Sequence, residues 1–357
     1  MAMKRRLFIK QLLAMGLMTH AMKVAAVNLT TEEQSYKTAA SVSATADSPE
    51  WDSLGAVIKV IGVGGAGCNA VNMMIDKGVF SAEFIAMDSD KQALNHCKAR
   101  TRFLIDAPNC TAAGEADRAY IKNLIKDAHV VFIVAGMGGK TGTDAASMVA
   151  EISRELNILT VAIVTRPYIS EGNRVVYAVK GVRALRDHVD TLIVVPIPGL
   201  MNLSGGTMPE AFNTANSVFR DVVANIAEAV NFPGLIAVDF ADVCTVLGKH
   251  GGEAMMGIAV ASGFDRARSA AERAVTSPLF ENMDLSGAHA VLVNITSTSG
   301  IKLKELDEVM VRVQFSAKDA TVILAATFDE SMGDEMRVAV VATGMKYLSP
   351  GKSAEFV

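Results

Sequence analysis

Residues 136–144 read Gly-Met-Gly-Gly-Lys-Thr-Gly-Thr-Asp and follow directly on the apolar run 129–135. A buried strand that opens into glycines and small hydroxyl residues before a helix is typical of a loop whose backbone N–H groups surround phosphate oxygens. Glycines let an anion approach the backbone, and threonines add hydroxyl donors. The loop therefore predicts a phosphate site formed by Gly138, Gly139, Thr141, Gly142 and Thr143.

Two charged residues distinguish this loop from a plain glycine cradle. Lys140 carries a charge that attracts a phosphate, whereas Asp144 carries one that repels it. A carboxylate about 4 Å from a phosphate charge costs on the order of 1–4 kcal/mol per charge pair, depending on screening. Lys140 offsets this cost if it pairs with Asp144 or with the phosphate. The Gly-Lys-Thr triplet is shared with P-loops, but Val134 stands where a P-loop needs its first glycine, so a Walker A motif is rejected.

The composition is that of a globular protein with substantial cores. The 357-residue chain is half apolar and 20% charged, which is enough for one large or two ordinary domains. Its net charge of −4 argues against nucleic acid as the main partner. The four cysteines lack metal-ligand spacing and fit free thiols in a reducing compartment, and the six histidines show no zinc-binding pattern. We therefore expect no metal site built from protein thiols or imidazoles.

The first 54 residues differ in composition and in residue pattern from the rest of the chain. Basic residues precede the first acid, Glu32, residues 7–18 are mostly apolar, and residues 27–54 read as a polar linker. Four interpretations of residues 4–26 stay open: a twin-arginine-type export signal, an amphipathic helix on an anionic membrane, an organellar presequence, or an upstream mis-start without function. The apolar run is too short to cross a bilayer.

From residue 55 onward, strands and helices alternate. The apolar strands have the pattern of strands buried on both faces, which predicts an α/β fold with a Rossmann-like parallel sheet, then a long central helix and a smaller α/β domain with a mixed sheet. Strands at 321–328 and 336–343 are expected to be neighbours in that mixed sheet. The predicted units are the N-terminal segment and linker 1–54, the parallel-sheet domain 55–206, the central helix 207–232, the second domain 233–345 and the tail 346–357.

A second glycine-rich segment follows the first predicted strand. Gly62, Gly64 and Gly67 satisfy the dinucleotide-binding pattern, and Asp88 and Asp90 follow about one βα unit later. A Rossmann oxidoreductase is therefore the runner-up from local sequence alone. The phosphate-type loop at 136–144 argues against it, because ligands of such sheets bind at the carboxyl ends of strands, where both glycine segments lie.

Taken together, several long segments in one order resemble the tubulin/FtsZ superfamily, specifically bacterial FtsZ, over residues 56–344. They include Ile-Lys-Val-Ile-Gly-Val-Gly-Gly-Ala-Gly-Cys-Asn and Pro-Gly-Leu-Ile-Ala-Val-Asp-Phe-Ala-Asp-Val. The resemblance implies a protein of cell division and septation that binds GTP or GDP, with Mg²⁺ accompanying GTP, and polymerises head to tail in the cytoplasm. The segments that carry it are 58–69, 136–143, 233–243, 253–263, 284–288 and 338–344.

The resemblance also implies roles for individual residues. Asp239 and Asp242 match two acids that orient the attacking water in the nucleotide pocket of the next subunit. Two acids three residues apart at a helix start are, by themselves, typical of an N-cap. Glu171 matches a ribose-contacting acid, and Phe212 and Asn216 match guanine-facing positions. The remaining matched nucleotide contacts are Gly64, Gly65, Ala66, Gly67, Cys68, Asn69, Gly138, Gly139, Lys140, Thr141, Gly142 and Thr143.

The chain departs from the family pattern mainly around the nucleotide. Lys140 and Asp144 replace glycines, the segment 110–118 is shorter and poorer in glycine, and Val175 stands where the family has an arginine. Arg174 can substitute, although neighbours on a helix point about 100° apart. The other departures are Ala66 for glycine, Asp88 for asparagine and Ala237 for asparagine.

These departures suggest a divergent paralogue with weakened nucleotide chemistry. Two functions are weighed: a polymerising GTPase, and a structural paralogue that binds GTP weakly or not at all and modulates filaments of an authentic FtsZ. Residues 346–357 do not resemble the family's C-terminal linker and tether-recruiting peptide, so we expect residues 4–26 to be a membrane contact at the division site. If those residues are a targeting signal, the protein is instead exported or organellar.

Overall fold

The computed structural model describes residues 56–347, apart from residue 80 and the ranges 106–114, 198–199, 201–206, 232–234, 249–251 and 281–282. Three predictions lie wholly or mainly outside these residues. They concern the N-terminal segment and linker 1–54, the shortened loop at 110–118 and the tail 346–357.

The first half of the chain is a parallel sheet with helices on both faces. Its strands pair in the order β6-β5-β4-β1-β2-β3, and every pairing is parallel. All of β1 and nearly all of β4 is buried, as expected for apolar strands covered on both faces. The elements are β1 (Ile58–Val63), α1 (Gly64–Asp76), β2 (Glu83–Asp88), α2 (Lys91–His96), β3 (Thr101–Leu104), α3 (Glu115–Ile125), β4 (Val130–Gly136), α4 (Lys140–Glu155), β5 (Leu159–Arg166), α5 (Asn173–Arg186) and β6 (Thr191–Pro196).

The second half is a mixed sheet reached through the long helix α6 (Met208–Asn231). Strand β10 runs parallel to β9, whereas β11 runs antiparallel to both β9 and β7. The elements that follow α6 are α7 (Phe240–Leu247), β7 (Gly252–Ser262), α8 (Arg266–Val275), β8 (Met283–Asp284), β9 (Ala290–Ser297), α9 (Leu303–Ser316), β10 (Thr321–Phe328), β11 (Glu335–Thr343) and β12 (Lys346–Tyr347).

Both halves share one ten-stranded sheet in the order β10-β9-β11-β7-β6-β5-β4-β1-β2-β3. The junction is the parallel pair β6–β7, which joins only Thr191 to Gly252, Leu192 to Glu253 and Ile193 to Ala254. The α/β class, the parallel sheet and the mixed sheet are confirmed. The predicted domain boundaries stay a prediction.

The expectation that the strands at 321–328 and 336–343 are neighbours is wrong. Strand β9 lies between β10 and β11 and pairs with both along its length. The reason is chain direction: a short connection favours an antiparallel hairpin, but β10 instead pairs parallel to β9 after the crossover helix α9. Adjacency in sequence was therefore a poor guide to adjacency in this sheet.

Helix α6 connects the two halves through one apolar face. A single hydrophobic cluster extends from β1 and β4 through this face to β9 and β11. Phe212, on the same helix, is 45% exposed. No helix among the described residues is long and apolar enough to cross a bilayer. The buried apolar residues of α6 include Ala211, Ala215, Val218, Phe219, Val222 and Ile226.

Two helices begin at or directly after the glycine segments. Residues 64–69 are the first part of α1, and α4 begins at Lys140. Gly64 has a φ of +71°, a conformation that glycine adopts without strain and that lets the chain turn from β1 directly into α1. The first glycine segment therefore leads from β1 into α1 without a loop, whereas residues 137–139 form a short turn between β4 and α4.

Candidate nucleotide site

The glycine segments meet in a cleft of about 280 Å³ at the carboxyl ends of β1, β4 and β5. This is the edge of a parallel sheet at which ligands of α/β proteins bind. The cleft brings together residues that are far apart in sequence, from the end of β1 to helix α6. The predicted site residues that line it are Gly64, Gly65, Ala66, Gly139, Lys140, Thr141, Gly142, Glu171 and Phe212.

The first turns of α1 and α4 converge in this cleft. A Cβ on Gly64 would lie 3.2 Å from the backbone nitrogen of Gly142, so the two helix starts are in contact. Neither N-cap residue, Val63 or Gly139, supplies a side-chain hydrogen bond to the first turn of its helix. First-turn N–H groups have no partner within the helix, and the helix dipole adds partial positive charge there. Two such ends side by side favour an anion with several oxygens.

Some of the predicted contacts support the cleft wall rather than line the cleft. A Cβ on Gly67 would lie 2.3 Å from the carbonyl oxygen of Val134, so this glycine allows α1 to pack on β4. Thr143 is buried, and its Oγ1 accepts a hydrogen bond from the Gly138 backbone N–H at 3.0 Å. That bond holds the loop at Gly138, whose φ is +93°.

Three further predicted contacts do not line the cleft. Cys68 is buried, and its carbonyl oxygen accepts a hydrogen bond from Cys97 Sγ at 3.9 Å. Asn69 is exposed on α1, and Asn216 is half-buried one helical turn beyond Phe212. Their roles toward a nucleotide stay predictions. The structure gives Cys68 a packing role.

Two cations and a carboxylate line the cleft beside the helix ends. Arg174 donates from Nη1 to Glu171 Oε2 at 2.6 Å, and the other oxygen of Glu171 accepts from the backbone N–H of Tyr168 at 2.8 Å. Nη2 of Arg174 lies 4.0 Å from the position of a Cβ on Gly139. The guanidinium therefore faces the loop at Gly139, while Lys140 lines the cleft at the start of α4.

The prediction that Arg174 substitutes for the arginine of the family pattern stays a prediction. Arg174 lines the cleft, and Val175 is not among the lining residues. Thr165 and Pro167 line the cleft as well, and the sequence reasoning missed them. The available signal was their position at the end of β5, because the carboxyl ends of neighbouring parallel strands share one edge.

The two acids in or near the phosphate loops are held by specific partners. Asp88 is buried, and its Oδ1 accepts from the backbone N–H groups of Ser89 and Asp90 at 2.7 and 3.2 Å. Asp144 does not line the cleft; its Oδ1 accepts from the hydroxyl of Tyr177 on α5 at 2.5 Å. The carboxylate that the sequence predicted to repel phosphate is therefore held by a donor on the neighbouring helix.

Asp239 and Asp242 form a reciprocal cap at the start of α7. Asp239 Oδ1 accepts from the Asp242 backbone N–H at 2.8 Å, and Asp242 Oδ2 accepts from the Asp239 N–H at 3.2 Å. This is the capping interpretation that the spacing alone favoured. Asp239 is exposed and Asp242 half-buried, so both stay accessible to a second molecule.

This acidic pair lies near the amino-terminal end of β4, whereas the cleft lies at the carboxyl end of the same strand. The ring of Phe240, next to Asp239, is 6.1 Å from the ring of His129, which immediately precedes β4. At the other end of the same helix, Leu247 accepts a hydrogen bond from Thr191, the first residue of β6. The seven residues of β4 span roughly 20 Å at about 3.3 Å per residue. The acids therefore cannot reach the cleft of their own subunit.

The described residues contain no group of three or more acids, histidines or cysteines that could hold a metal ion. Asp88 is the carboxylate among the cleft-lining residues that lies beside the phosphate loops. A Mg²⁺ ion at this site would therefore take most of its ligands from nucleotide phosphates and water, as Mg²⁺ commonly does.

Comparison with known proteins agrees with this geometry. The family model described as the GTPase domain of the tubulin/FtsZ family matches residues 57–205, and that of the C-terminal domain of the FtsZ family matches residues 252–346. The cell division protein FtsZ of Neisseria gonorrhoeae is 47% identical over 309 residues, which cover 82% of this chain and 79% of the relative. FtsZ of Buchnera aphidicola subsp. Baizongia pistaciae is 44% identical over 306 residues, covering 81% and 79%.

Solved structures give the same result. An empty FtsZ dimer from M. jannaschii is 34% identical and superposes with a TM-score of 0.75, covering 88% of this chain and 92% of that one. CetZ2 from Haloferax volcanii, solved as a GTPγS-bound protofilament, has a TM-score of 0.68 over 84% and 96% of the two chains, but at 19% identity it shows likeness of fold alone. By sequence and by structure, this chain belongs to the FtsZ family of the tubulin/FtsZ superfamily.

Proposed function

We propose that this protein is a GTP-binding cytoskeletal protein of cell division that assembles head to tail and hydrolyses GTP at the contact between subunits. The observation that carries the proposal is that the cleft and the acidic pair lie at opposite ends of the same parallel strands. Stacking subunits with β4 in the same direction brings the acids of one subunit to the cleft of the next. Family membership and the relatives named FtsZ support this role.

The nucleotide phosphates would lie against the starts of α1 and α4. Gly65, Thr141, Lys140 and Arg174 line the cleft. We expect the backbone N–H groups of Gly65 and Thr141 to donate to phosphate oxygens, with Lys140 and Arg174 adding positive charge. Phe212 offers an exposed aromatic surface for the base at the far side of the cleft. Gly64, Ala66, Gly139 and Gly142 shape the wall, and Glu171 is proposed to contact the ribose.

Hydrolysis then requires a water placed by the neighbouring subunit. The water oxygen bonds to the γ-phosphorus while the bond from that phosphorus to the β–γ bridging oxygen breaks, leaving GDP and phosphate. Asp239 and Asp242 of the incoming subunit orient and polarise this water. When bound, Mg²⁺ would neutralise charge on the phosphates, and Asp88 is a cleft-lining carboxylate that would help to hold it. Turnover therefore depends on assembly.

The charge changes in the loop favour retained binding over a nucleotide-free role. Lys140 and Arg174 both face the cleft, and Asp144 is held by Tyr177. The alternative of a degenerate structural paralogue that only modulates filaments of another FtsZ is therefore not favoured. Slower hydrolysis than in relatives remains part of the proposal, because Ala237 lacks the amide that the family has in the acidic loop.

Mixing two inactive variants tests the proposal directly. Gly65→Val places a branched side chain in the cleft at a position where a Cβ meets no atom within 4 Å, so it blocks nucleotide without disturbing the core. Asp242→Ala leaves the cleft intact. Each variant alone should release little phosphate, whereas an equal mixture should recover up to about a quarter of wild-type turnover, since a quarter of randomly formed contacts are complete.

The concentration dependence of the wild-type protein supplies the control. Turnover per subunit should rise steeply with protein concentration, because the site is complete only in the polymer. Flat turnover per subunit, together with no recovery in the mixture, would exclude a shared site. Gly300→Val, at an exposed position outside the cleft lining where a Cβ would meet only Thr298 Oγ1 at 3.8 Å, is the matched control for Gly65→Val.

The membrane role of residues 4–26 is a separate proposal. They carry five basic residues and an apolar run, which suits contact with an anionic membrane at the division site in the cytoplasm. Deleting residues 1–30 should reduce sedimentation of the protein with anionic vesicles, and unchanged sedimentation would contradict the assignment.

A further inference from the structure

The acid Asp144 stands close to the phosphate loop and yet does not line the cleft. It follows Lys140 by four residues on α4, so the two side chains leave the helix on the same face, with Cβ atoms about 5–6 Å apart. Lys140 itself lines the cleft. A carboxylate at this position that turned toward the cleft would meet the nucleotide phosphates, with an unfavourable interaction between like charges.

Helix α5 lies against α4 at this point and fixes what faces Asp144. A Cβ on Gly138 would lie 2.8 Å from the carbonyl oxygen of Arg174, and a Cβ on Gly181 would lie 2.1 Å from Thr143 Cγ2. Helix α5 is therefore in close contact with the turn before α4 on one side of Tyr177 and with α4 itself on the other. That contact directs the tyrosine hydroxyl to Asp144 Oδ1, at 2.5 Å.

We propose that Tyr177 is a positioning residue for nucleotide binding. Its hydroxyl donates to the Asp144 carboxylate and holds that charge on the α5 side of α4, away from the phosphates. The hydrogen bond between Tyr177 and Asp144 therefore allows GTP to bind even though an acidic residue follows the phosphate loop. This inference rests on the placement of the phosphates proposed above.

The proposal separates Tyr177 from a tyrosine that only packs. A packing role would affect GTP binding regardless of what stands at 144. A positioning role acts only through the charge of Asp144, so it disappears when that charge is removed. It also weakens as salt screens the repulsion between the released carboxylate and the phosphates.

The test measures GTP affinity of the full chain with Tyr177→Phe, Asp144→Asn and the double variant, alongside Gly65→Val, with thermal melts to check folding. Tyr177→Phe should weaken GTP binding by about three- to tenfold at low salt and less at high salt. The same substitution in the Asp144→Asn background should change affinity by less than about twofold. Asp144→Asn alone should stay within about twofold of wild type, because the carboxylate is already held away.

Three results would overturn the inference. The first is an unchanged GTP affinity in Tyr177→Phe, and the second is an equal loss of GTP affinity from this substitution with Asp144 or with Asn at position 144. The third is a gain in GTP affinity of tenfold or more from Asp144→Asn, which would mean that the carboxylate already faces the phosphates. The last result decides the question even if Tyr177→Phe does not fold. If Gly65→Val still binds GTP normally, the phosphate placement is wrong and the inference falls with it. If Gly65→Val abolishes binding while Tyr177→Phe is neutral, only the inference fails.

Discussion

Replacing Asp239 separates its structural role from its proposed chemical role. As the N-cap of α7 it accepts from the Asp242 N–H at 2.8 Å, and in a filament it is proposed to act on the neighbour's water. Asn is as good an N-cap as Asp and keeps a carbonyl oxygen at the same position, whereas Ala costs about 1 kcal/mol of stability. The two substitutions therefore divide the two roles of one residue.

The expected magnitudes differ enough to be measured. Asp239→Asn removes the carboxylate charge at the helix start, which costs about 0.3–1 kcal/mol through the helix dipole. Asp239→Ala loses the cap as well, so its total cost is about 1–2 kcal/mol. For turnover, loss of a positioned acid lowers the rate by about a hundredfold or more, which corresponds to about 2.7 kcal/mol of barrier. Both variants should show this loss equally.

Two measurements on the same preparations check these values. Denaturant unfolding gives the free energy of unfolding, and phosphate release at several protein concentrations gives turnover per subunit in the polymer. Sedimentation confirms that each variant still assembles. If Asp239→Asn hydrolyses GTP at the wild-type rate, and Asp239→Ala loses turnover only in proportion to its lost stability, then Asp239 is a cap and the trans mechanism is refuted.

Two further predictions concern stability. Gly67→Ala should destabilise the nucleotide-free protein by about 1–3 kcal/mol, because its Cβ would lie 2.3 Å from the Val134 carbonyl oxygen, whereas Gly65→Ala, with no atom within 4 Å, should be neutral or stabilising in thermal melts. Arg266 holds the pKa of Glu305 below its ordinary 4.5 by a hydrogen bond at 2.7 Å. The ion pair therefore stabilises the folded protein fully above pH 4.5, and this stabilisation is lost as the pH falls through the lowered pKa of Glu305 in the folded state. Glu305→Gln should remove this pH dependence and lower the free energy of unfolding by about 2 kcal/mol at pH 7. An unaltered pH profile of unfolding in this variant would contradict the prediction.

The sequence was informative where the physics is local. Apolar runs such as 130–136 predicted buried parallel strands, because a strand that is covered on both faces carries apolar residues continuously instead of alternating them with polar ones. The glycines at 64 and 142 marked the places where two backbones approach closely. Both glycine segments were correctly placed at one edge of a sheet from the rule that ligands bind at the carboxyl ends of parallel strands.

The sequence was uninformative where distant segments meet. Nothing near Asp144 in the chain indicates that its partner is Tyr177, 33 residues later on another helix. The insertion of β9 between β10 and β11 depends on the direction of a crossover rather than on the strands themselves. The capping of α7 was readable from two acids three residues apart, but its position opposite the cleft followed only from topology.

The short junction between the halves of the sheet has a mechanical consequence. Strands β6 and β7 share three residue pairs, whereas β7 and β11 share nine. A load that separates the two halves of a subunit therefore falls on few interstrand hydrogen bonds at this seam and on the packing around α6. This seam has the fewest residue pairs of any strand junction in the ten-stranded sheet, so we expect a subunit under load to bend here before its other strand pairs separate.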